Sequence, residues 1–330
     1  MLDGFNRVVV TGGRGFIGRH LVAALVALDK DVVVVDRATS SSSVSSARVP
    51  PEASALHTDI RDPGQVEQAL QGADLVFHVA ANASGTRSIA EPRWDFETNS
   101  VGTFNVVQAA SAVGAERLVY LSSASAYGRP QRFPMDEDHP LHPFVPYGAS
   151  KLAGELTCRV FYETFGLSCV MGRPFCVYGP GEDPASALVE VSRYVRWHLR
   201  GEPIQVVGDA DRKTRDFVHV SDVVAGLLLL ADRGMPGEVY NLGSGEEWSM
   251  RQLVDLIGQA TGRTPLVKEI LDIGEDTYRL VGDITKLRGL GFSPSTRLAD
   301  GVADLVARLG PSPEAPGGVT IFRPGQQAER

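Results

Sequence analysis

Tyr147 and Lys151 stand four positions apart in the stretch Tyr-Gly-Ala-Ser-Lys. On a helix, positions i and i+4 share a face, so the phenol and the ammonium project together. A phenol with a pKa near 10 is a poor base at neutral pH, and a neighbouring cation favours its ionised form. The pair suits the removal of a proton from an alcohol. Upstream, the apolar run Leu118-Val119-Tyr120-Leu121 ends in the hydroxyls of Ser122, Ser123 and Ser125. A serine there either bonds a substrate alcohol while Tyr147 takes its proton, or caps the strand end and satisfies loop amides.

These groups need elements to hold them. Near the start of the chain, Arg7-Val8-Val9-Val10 runs directly into Thr11-Gly12-Gly13-Arg14-Gly15-Phe16-Ile17-Gly18. A strand, a glycine loop and a helix in that order suit a dinucleotide pyrophosphate. Gly12 permits the tight turn, Gly15 lets backbone approach the phosphates, and Gly18 lets the helix lie close to its strand. The helix N-terminus then faces the anion. The next apolar run, Asp31 to Asp36, ends in an acid about 20 residues downstream, where a ribose 2′-hydroxyl is held. The acid at position 36 favours NAD over NADP, because it repels a 2′-phosphate, although Arg37 beside it could accept one. An oxidised nicotinamide would add positive charge beside the phenol.

Strands and helices alternate through the first half. The pattern predicts strands over 6–11, 31–36, 54–58, 74–80, 116–122 and 167–173. It predicts helices over 15–29, 63–71, 94–113 and 147–165. Strands apolar on both faces indicate a Rossmann-type α/β fold, a doubly wound parallel sheet. Thr39 to Ser46 reads as a loop. Beyond residue 175 the pattern is broken by Pro and Gly, with helices expected over 185–200, 221–233, 249–261 and 296–309. Short strands are expected over 204–207, 216–219 and 238–241. The expected division is a cofactor-binding domain over 1–174, to which 216–241 returns. A smaller, discontinuous α+β substrate lobe takes 175–215 and 242–309. The Pro/Gly-rich stretch 310–330 reads as a flexible tail.

Bulk properties exclude several classes. The 330 residues suffice for a large core. The net charge of −8 is spread over both signs, which leaves no footprint for nucleic acid. No apolar stretch is long enough to span a bilayer, and the first residues do not read as a signal peptide. Cys158, Cys169 and Cys176 form an odd set without metal-like spacing, so no metal is expected and buried thiols in a reducing cytoplasm are.

Further motifs carry a resemblance. They are His78-Val79-Ala80-Ala81, Asn99-Ser-Val-Gly102-Thr103, Ser122-Ser123 before Tyr127-Gly128, and Arg173-Pro174. To these add Val177-Tyr178-Gly179-Pro180-Gly181, Thr214 to Val223, and Tyr240-Asn241-Leu242-Gly243-Ser244-Gly245. With the glycine loop and Tyr147-xxx-Lys151, the chain over about residues 5–300 resembles the extended short-chain dehydrogenase/reductase family of nucleotide-sugar epimerases and dehydratases. The resemblance implies that Gly12, Gly15, Phe16, Ile17 and Gly18 line the cofactor phosphates, and that Asp36 and Arg37 hold the adenosine ribose. Asp59 and Ile60 would touch adenine. Ala80 and Ala81 would pass beneath the cofactor, Asn99 would support the sheet, and Pro174 to Val177, including Cys176, would lie beside the nicotinamide. Lys151 would also hold the nicotinamide ribose. Arg215 would reach the sugar nucleotide's diphosphate. Arg87 and Ser88 would face the hexose, with Ser123, Ser125 and Tyr147. The helices over 94–113 and 147–165 would pair in a homodimer.

Departures from the family pattern narrow the reaction. The 4,6-dehydratases carry an Asp-Glu pair where this chain has Ala124 and Ser125, and UDP-glucuronate decarboxylases keep a Glu at the latter position. Oxidation and re-reduction at C4 remain, as in an NAD-dependent 4-epimerase of a UDP-hexose or UDP-hexuronate. The alternatives are a 4-keto-6-deoxy nucleotide-sugar reductase and a non-catalytic cofactor-binding protein. Many 4-epimerases also have a late Arg-x-Gly-Asp, replaced here by Asp272-Ile273-Gly274-Glu275. Arg279 would substitute, or Arg215 with Arg212 and Lys213 would suffice. Gly181-Glu182-Asp183 stands where some glucuronate epimerases are basic.

Overall fold

The computed structural model describes residues 2–37, 49–184, 189–270 and 278–319. Its centre is a seven-stranded sheet, parallel throughout. In chain order the strands are β1 (Arg7–Thr11), β2 (Asp31–Asp36), β3 (Ser54–His57), β4 (Leu75–His78), β5 (Arg117–Leu121) and β6 (Ser168–Pro174), followed by the late strand Val239–Leu242. Their spatial order is β3-β2-β1-β4-β5-β6 and then Val239–Leu242. The chain therefore leaves in opposite directions from β1 and from β4. At that switch point the loops after β1 and β4 part and leave a crevice at the strands' carboxyl ends.

Alternation along each strand builds two cores. Val8, Val10, Val32, Val34, Leu75 and Phe77 bury one face under helices α1 (Phe16–Val26) and Val220–Arg233. Val9, Val33, Val76, Leu118 and Tyr120 bury the other. That face is covered by α2 (Pro63–Ala69), α5 (Gly102–Ala112) and α6 (Pro146–Phe165). Burial on both faces is why these strands read as continuous apolar runs.

The single helix predicted over 94–113 is instead broken. After α3 (Gly85–Ala90) come α4 (Pro92–Phe96), a π-helical turn Glu97–Val101 and then α5. The widened turn brings Asp95, Asn99 and Ser100 all inward. Asp95 accepts bonds from Asn82 Nδ2 at 2.6 Å, Asn99 Nδ2 at 3.1 Å and Ser150 Oγ at 2.7 Å. This buried carboxylate ties the loop after β4 to the start of α6. Helix α3 has no apolar periodicity and was not legible in the sequence.

Much of the remaining chain forms a separate apolar cluster around Tyr194, Trp197, Ile204, Leu253 and Val302, while Ile284, Leu287 and Phe292 join the first core. Helices α7 (Glu190–Leu199), α8 (Val220–Arg233) and α9 (Met250–Thr261) fall where expected. The expected strands Phe217–His219 and Ile204–Val207 pair in parallel with two that the sequence did not predict, Cys176–Tyr178 and Val267–Ile270. Residues 310–319, read as loose chain, are tied down. Arg196 Nη1 donates to Glu314 O at 2.7 Å and Trp197 Nε1 to Pro316 O at 2.9 Å. The serine run, the Asp272–Glu275 stretch and residues 320–330 lie outside the described residues.

Candidate active site

The glycine loop is shaped by close approach. Gly12 has φ +72°, and a Cβ there would lie 2.6 Å from Ala80 backbone atoms. A Cβ on Gly18 would lie 2.1 Å from the Gly12 carbonyl oxygen, so helix α1 rests directly on the turn that precedes it. Gly15 takes the N-cap position of α1 with no side-chain cap. The first amides of that helix are left for a ligand, and the helix dipole favours an anion there.

Two chambers open over this loop. One, of about 280 Å³, is lined by Gly12, Asp36, Arg37, Asp59, Ile60 and Ala80, and by Trp94 and Thr98, which sequence reasoning missed. Asp36 accepts the Arg14 amide at 2.9 Å. Burial raises the Asp36 carboxyl above its ordinary value, and the Arg14 and Arg37 amides offset part of that. The Arg37 guanidinium lies 3.9 Å from Asp59, which is held more closely by Arg61 at 2.6 Å.

The second chamber, of about 380 Å³, collects Phe16, Ile17 and Gly18 from α1 with Ser123, Ser125, Tyr147, Lys151, Pro174, Cys176 and Val177. Val79 and Ala81 line both chambers. One groove thus runs from an acid-edged pocket, past an uncapped helix N-terminus, to the phenol and amine. That order of chemistry fits an extended dinucleotide.

Within the second chamber Ser123 Oγ accepts the Ser125 amide at 3.1 Å, which leaves its proton to donate. The Ser123 hydroxyl hydrogen-bonds the Tyr147 phenol and favours its ionised form, but burial outweighs this and pushes the phenol up. Asp95 pushes in the same direction. Lys151 lies with its Nζ 4.4 Å from the centre of the Tyr120 ring. Burial pulls its amine down to about 7, against the opposing pull of Glu155, Cys158 and Asp95. The protein thus holds both groups toward their neutral forms, a tendency the spacing of Tyr147 and Lys151 did not reveal.

The lysine shift has a consequence for stability. The amine's folded value is about 7 against an ordinary 10.5. Between those values the unfolded chain holds a proton that the folded chain has released, so stability rises with pH across that window. Below it both states are charged, and the folded one bears the full cost of a buried cation. Lys151→Met is therefore expected to raise the melting temperature most at pH 6, with the gain shrinking by pH 9.5. Thermal melts of both proteins across that range check the sign, and a gain that grows with pH would refute it.

Other sequence-predicted residues lie off the groove wall. Asn99 is buried, donating to Asn82 O at 3.1 Å and accepting the Asn82 amide at 2.8 Å. Arg87 places its guanidinium 3.7 Å above the Trp94 ring and pairs with Glu91 at 3.4 Å. Ser88 is fully buried. Arg215 is buried behind Cys176, its Nε 3.5 Å from Glu190 Oε1. Arg279 forms a two-pronged pair with Glu247 at 2.8 and 2.7 Å. Glu182 and Asp183, read in the sequence only as a loop difference, line the second chamber.

Behind the site, Arg173 Nε and Nη2 bond Glu155 at 2.9 and 2.6 Å, both side chains being buried. Ser122 donates its hydroxyl to the same carboxylate. His78, beneath the glycine loop, bridges Thr11 Oγ1 at 2.7 Å and Thr103 Oγ1 at 2.9 Å. Burial and the Lys151 charge lower it to about 3, so it is neutral.

Fold, glycine loop and Tyr–Lys pair define a nucleotide-dependent α/β enzyme. Residues 8–243 match the NAD dependent epimerase/dehydratase family, and the chain belongs to it. It is 32% identical over 302 residues to a putative UDP-glucose 4-epimerase of Methanocaldococcus jannaschii, covering 91% of this chain and 97% of that protein. It is also 32% identical over 313 residues to a dTDP-glucose 4,6-dehydratase of an Actinoplanes species, covering 91% of this chain and 97% of the relative. The crystal structure of a UDP-glucose 4-epimerase of Thermotoga maritima with UDP-glucose superposes with a TM-score of 0.84 at 32% identity, covering 91% and 97% of the two chains. NAD is thus the cofactor of the family to which this enzyme belongs. Among the described residues no helix is long and apolar enough to cross a membrane.

Proposed function

We propose that the protein is an NAD-dependent 4-epimerase of a UDP-hexose. The observation that carries this reading is the composition of the wall beside Tyr147. Ser123, Ala124 and Ser125 line it, and neither residue after Ser123 is an acid able to move a proton for loss of C6 water. With elimination disfavoured, the remaining chemistry is reversible oxidation at C4. Tyr147 takes the C4 hydroxyl proton, Ser123 donates a hydrogen bond to the same oxygen, and Lys151 supplies positive charge when protonated. NAD, when bound, supplies a reversible two-electron acceptor. The resulting 4-keto sugar turns within the chamber and is reduced on its other face, so no cofactor is consumed.

Asp36, Arg37, Asp59 and Ile60 would hold the adenosine end, the amides of α1 the pyrophosphate, and Lys151 the nicotinamide ribose. In this reading the sheet and its helices form the cofactor-binding part. Residues 175–215 and 242–309 form the substrate-binding part, with Arg215 and Cys176 on the sugar nucleotide's side. Among the described residues lining the sugar chamber, Lys151 is accompanied by two carboxylates, Glu182 and Asp183, an imbalance that favours a neutral hexose over a hexuronate.

The test is direct. Purified protein should interconvert UDP-glucose and UDP-galactose without added reductant, faster than the UDP-glucuronate and UDP-galacturonate pair. Net change in external NADH absorbance would point to a reductase, and a 4-keto-6-deoxy product to a dehydratase. Either would end the epimerase reading.

The outer face of α4 to α6 supports a homodimer. Phe96, Val101, Phe104, Leu156 and Val160 are 40–55% exposed there. Five large apolar side chains on adjacent helices form a patch that a second copy would bury. Sedimentation should give twice the chain mass, and Leu156→Arg should give a monomer. A monomeric wild type refutes the assignment.

A further inference from the structure

Helix α6 carries Tyr147, and its start is unusual. Pro146 takes the first helical position and has no N–H, so the first amide of the helix is that of Tyr147 itself. The N-cap residue is Val145, whose side chain offers no acceptor. The orphan amide is met from a distant element instead. Ser88 Oγ, 59 positions away in the chain, accepts the Tyr147 N–H at 3.1 Å. The same hydroxyl donates to Gly85 O at 2.6 Å, and Ser88 is fully buried. Its proton and one lone pair are thus spent on backbone at both sides.

The neighbouring residue fixes the element that carries Ser88. Arg87 turns away, laying its guanidinium on Trp94 and pairing with Glu91. Ser84 caps α3 by accepting the Arg87 amide at 3.1 Å. One short helix therefore leans on the wall of the adenosine chamber with one residue and holds the start of α6 with the next.

We propose that Ser88 is a positioning residue for Tyr147, a remote cap on α6 that sets the phenol against the reacting alcohol. This inference rests on Tyr147 being the base. Without the acceptor, the Tyr147 amide loses its partner and the start of α6 is left with its tie through Ser150 to Asp95, and a misplacement of about 1 Å can lower a rate by about a hundredfold.

The experiment compares the NAD-loaded wild type with Ser88→Ala, Ser88→Thr and Tyr147→Phe, using UDP-glucose as substrate. Ser88→Ala is expected to lower kcat by about tenfold to a hundredfold. KM and the amount of co-purified NAD should be unchanged. Its pH profile of kcat should be displaced, and Ser88→Thr, which keeps the hydroxyl, should restore part of both. Hydrogen exchange provides a second measurement. The Tyr147 amide should exchange faster in Ser88→Ala while amides beyond the first two turns of α6 keep their protection. A Ser88→Ala enzyme with wild-type kcat and pH profile overturns the proposal, as does loss of protection along the whole of α6. Tyr147→Phe separates the two layers. If it turns over like wild type, the assignment of the base has failed. If it is inactive while Ser88→Ala is unaffected, the remote cap alone has failed.

Discussion

Tyr147→Phe is expected to lower turnover of UDP-glucose by about a thousandfold or more, with the fold and the bound NAD retained. The substitution removes one oxygen and leaves the ring in place. That oxygen lines the second chamber, where desolvation makes it less ready to ionise than an ordinary phenol. Its work depends on company: Ser123, one of whose lone pairs is taken by the Ser125 amide, and Lys151, whose amine burial pulls down to about 7. Among the described residues no other tyrosine lines the sugar chamber to take over. Because the ring keeps its packing and only the hydroxyl goes, its loss should leave the melting temperature unchanged or slightly higher. Initial rates, thermal melts and NAD released on denaturation measure the three quantities. A residual rate above a tenth of wild type would refute the assignment of the base.

The second large effect is on stability. Arg173→Met is expected to destabilise the fold by about 3–5 kcal/mol, because it leaves the Glu155 carboxylate buried without its cation. Ser122 would remain as a hydrogen-bond donor to it, which cannot replace two charge-assisted bonds. Removing both charges in Glu155→Gln with Arg173→Met should recover most of the loss, since what is costly is the stranded charge rather than the missing pair. Urea midpoints for the three proteins form the test. A single variant within 1 kcal/mol of wild type would show that the carboxylate finds another partner or a proton. Glu155 lies one turn beyond Lys151 on α6 and supports the lysine's charge, so the Arg173 variant also bears on the site.

Much of this could be read before any coordinates. The parallel sheet was legible because strands buried on both faces leave unbroken runs such as Val32 to Val35 and Leu118 to Leu121. The glycine loop was legible because Gly12 and Gly18 stand where a Cβ would strike backbone. Ser123, Tyr147 and Lys151 do meet in one chamber, as hydroxyls at a strand end and a four-residue spacing implied. Other features left no sequence signal. Helix α3 is too short to show a period, and its position comes from the Ser84 cap and the stacking of Arg87 on Trp94. The π turn in the helix over 94–113 answers to Asp95 and Asn99, which must both point inward to partners far away in the chain. The raised phenol and lowered amine follow from burial, a property of the assembled fold that pair spacing does not encode.

The two chambers touch through Val79 and Ala81 alone among their lining residues. The rim of the second can therefore vary while the first keeps its grip. Replacement of Glu182, Asp183, Val189 or Leu280 would redraw the contour offered to a sugar while the dinucleotide stays seated. That separability gives a lineage room to exchange one glycosyl substrate for another by drift at a rim. Position 81 is the exception: a bulky side chain there would partition the groove and affect both tenants at once.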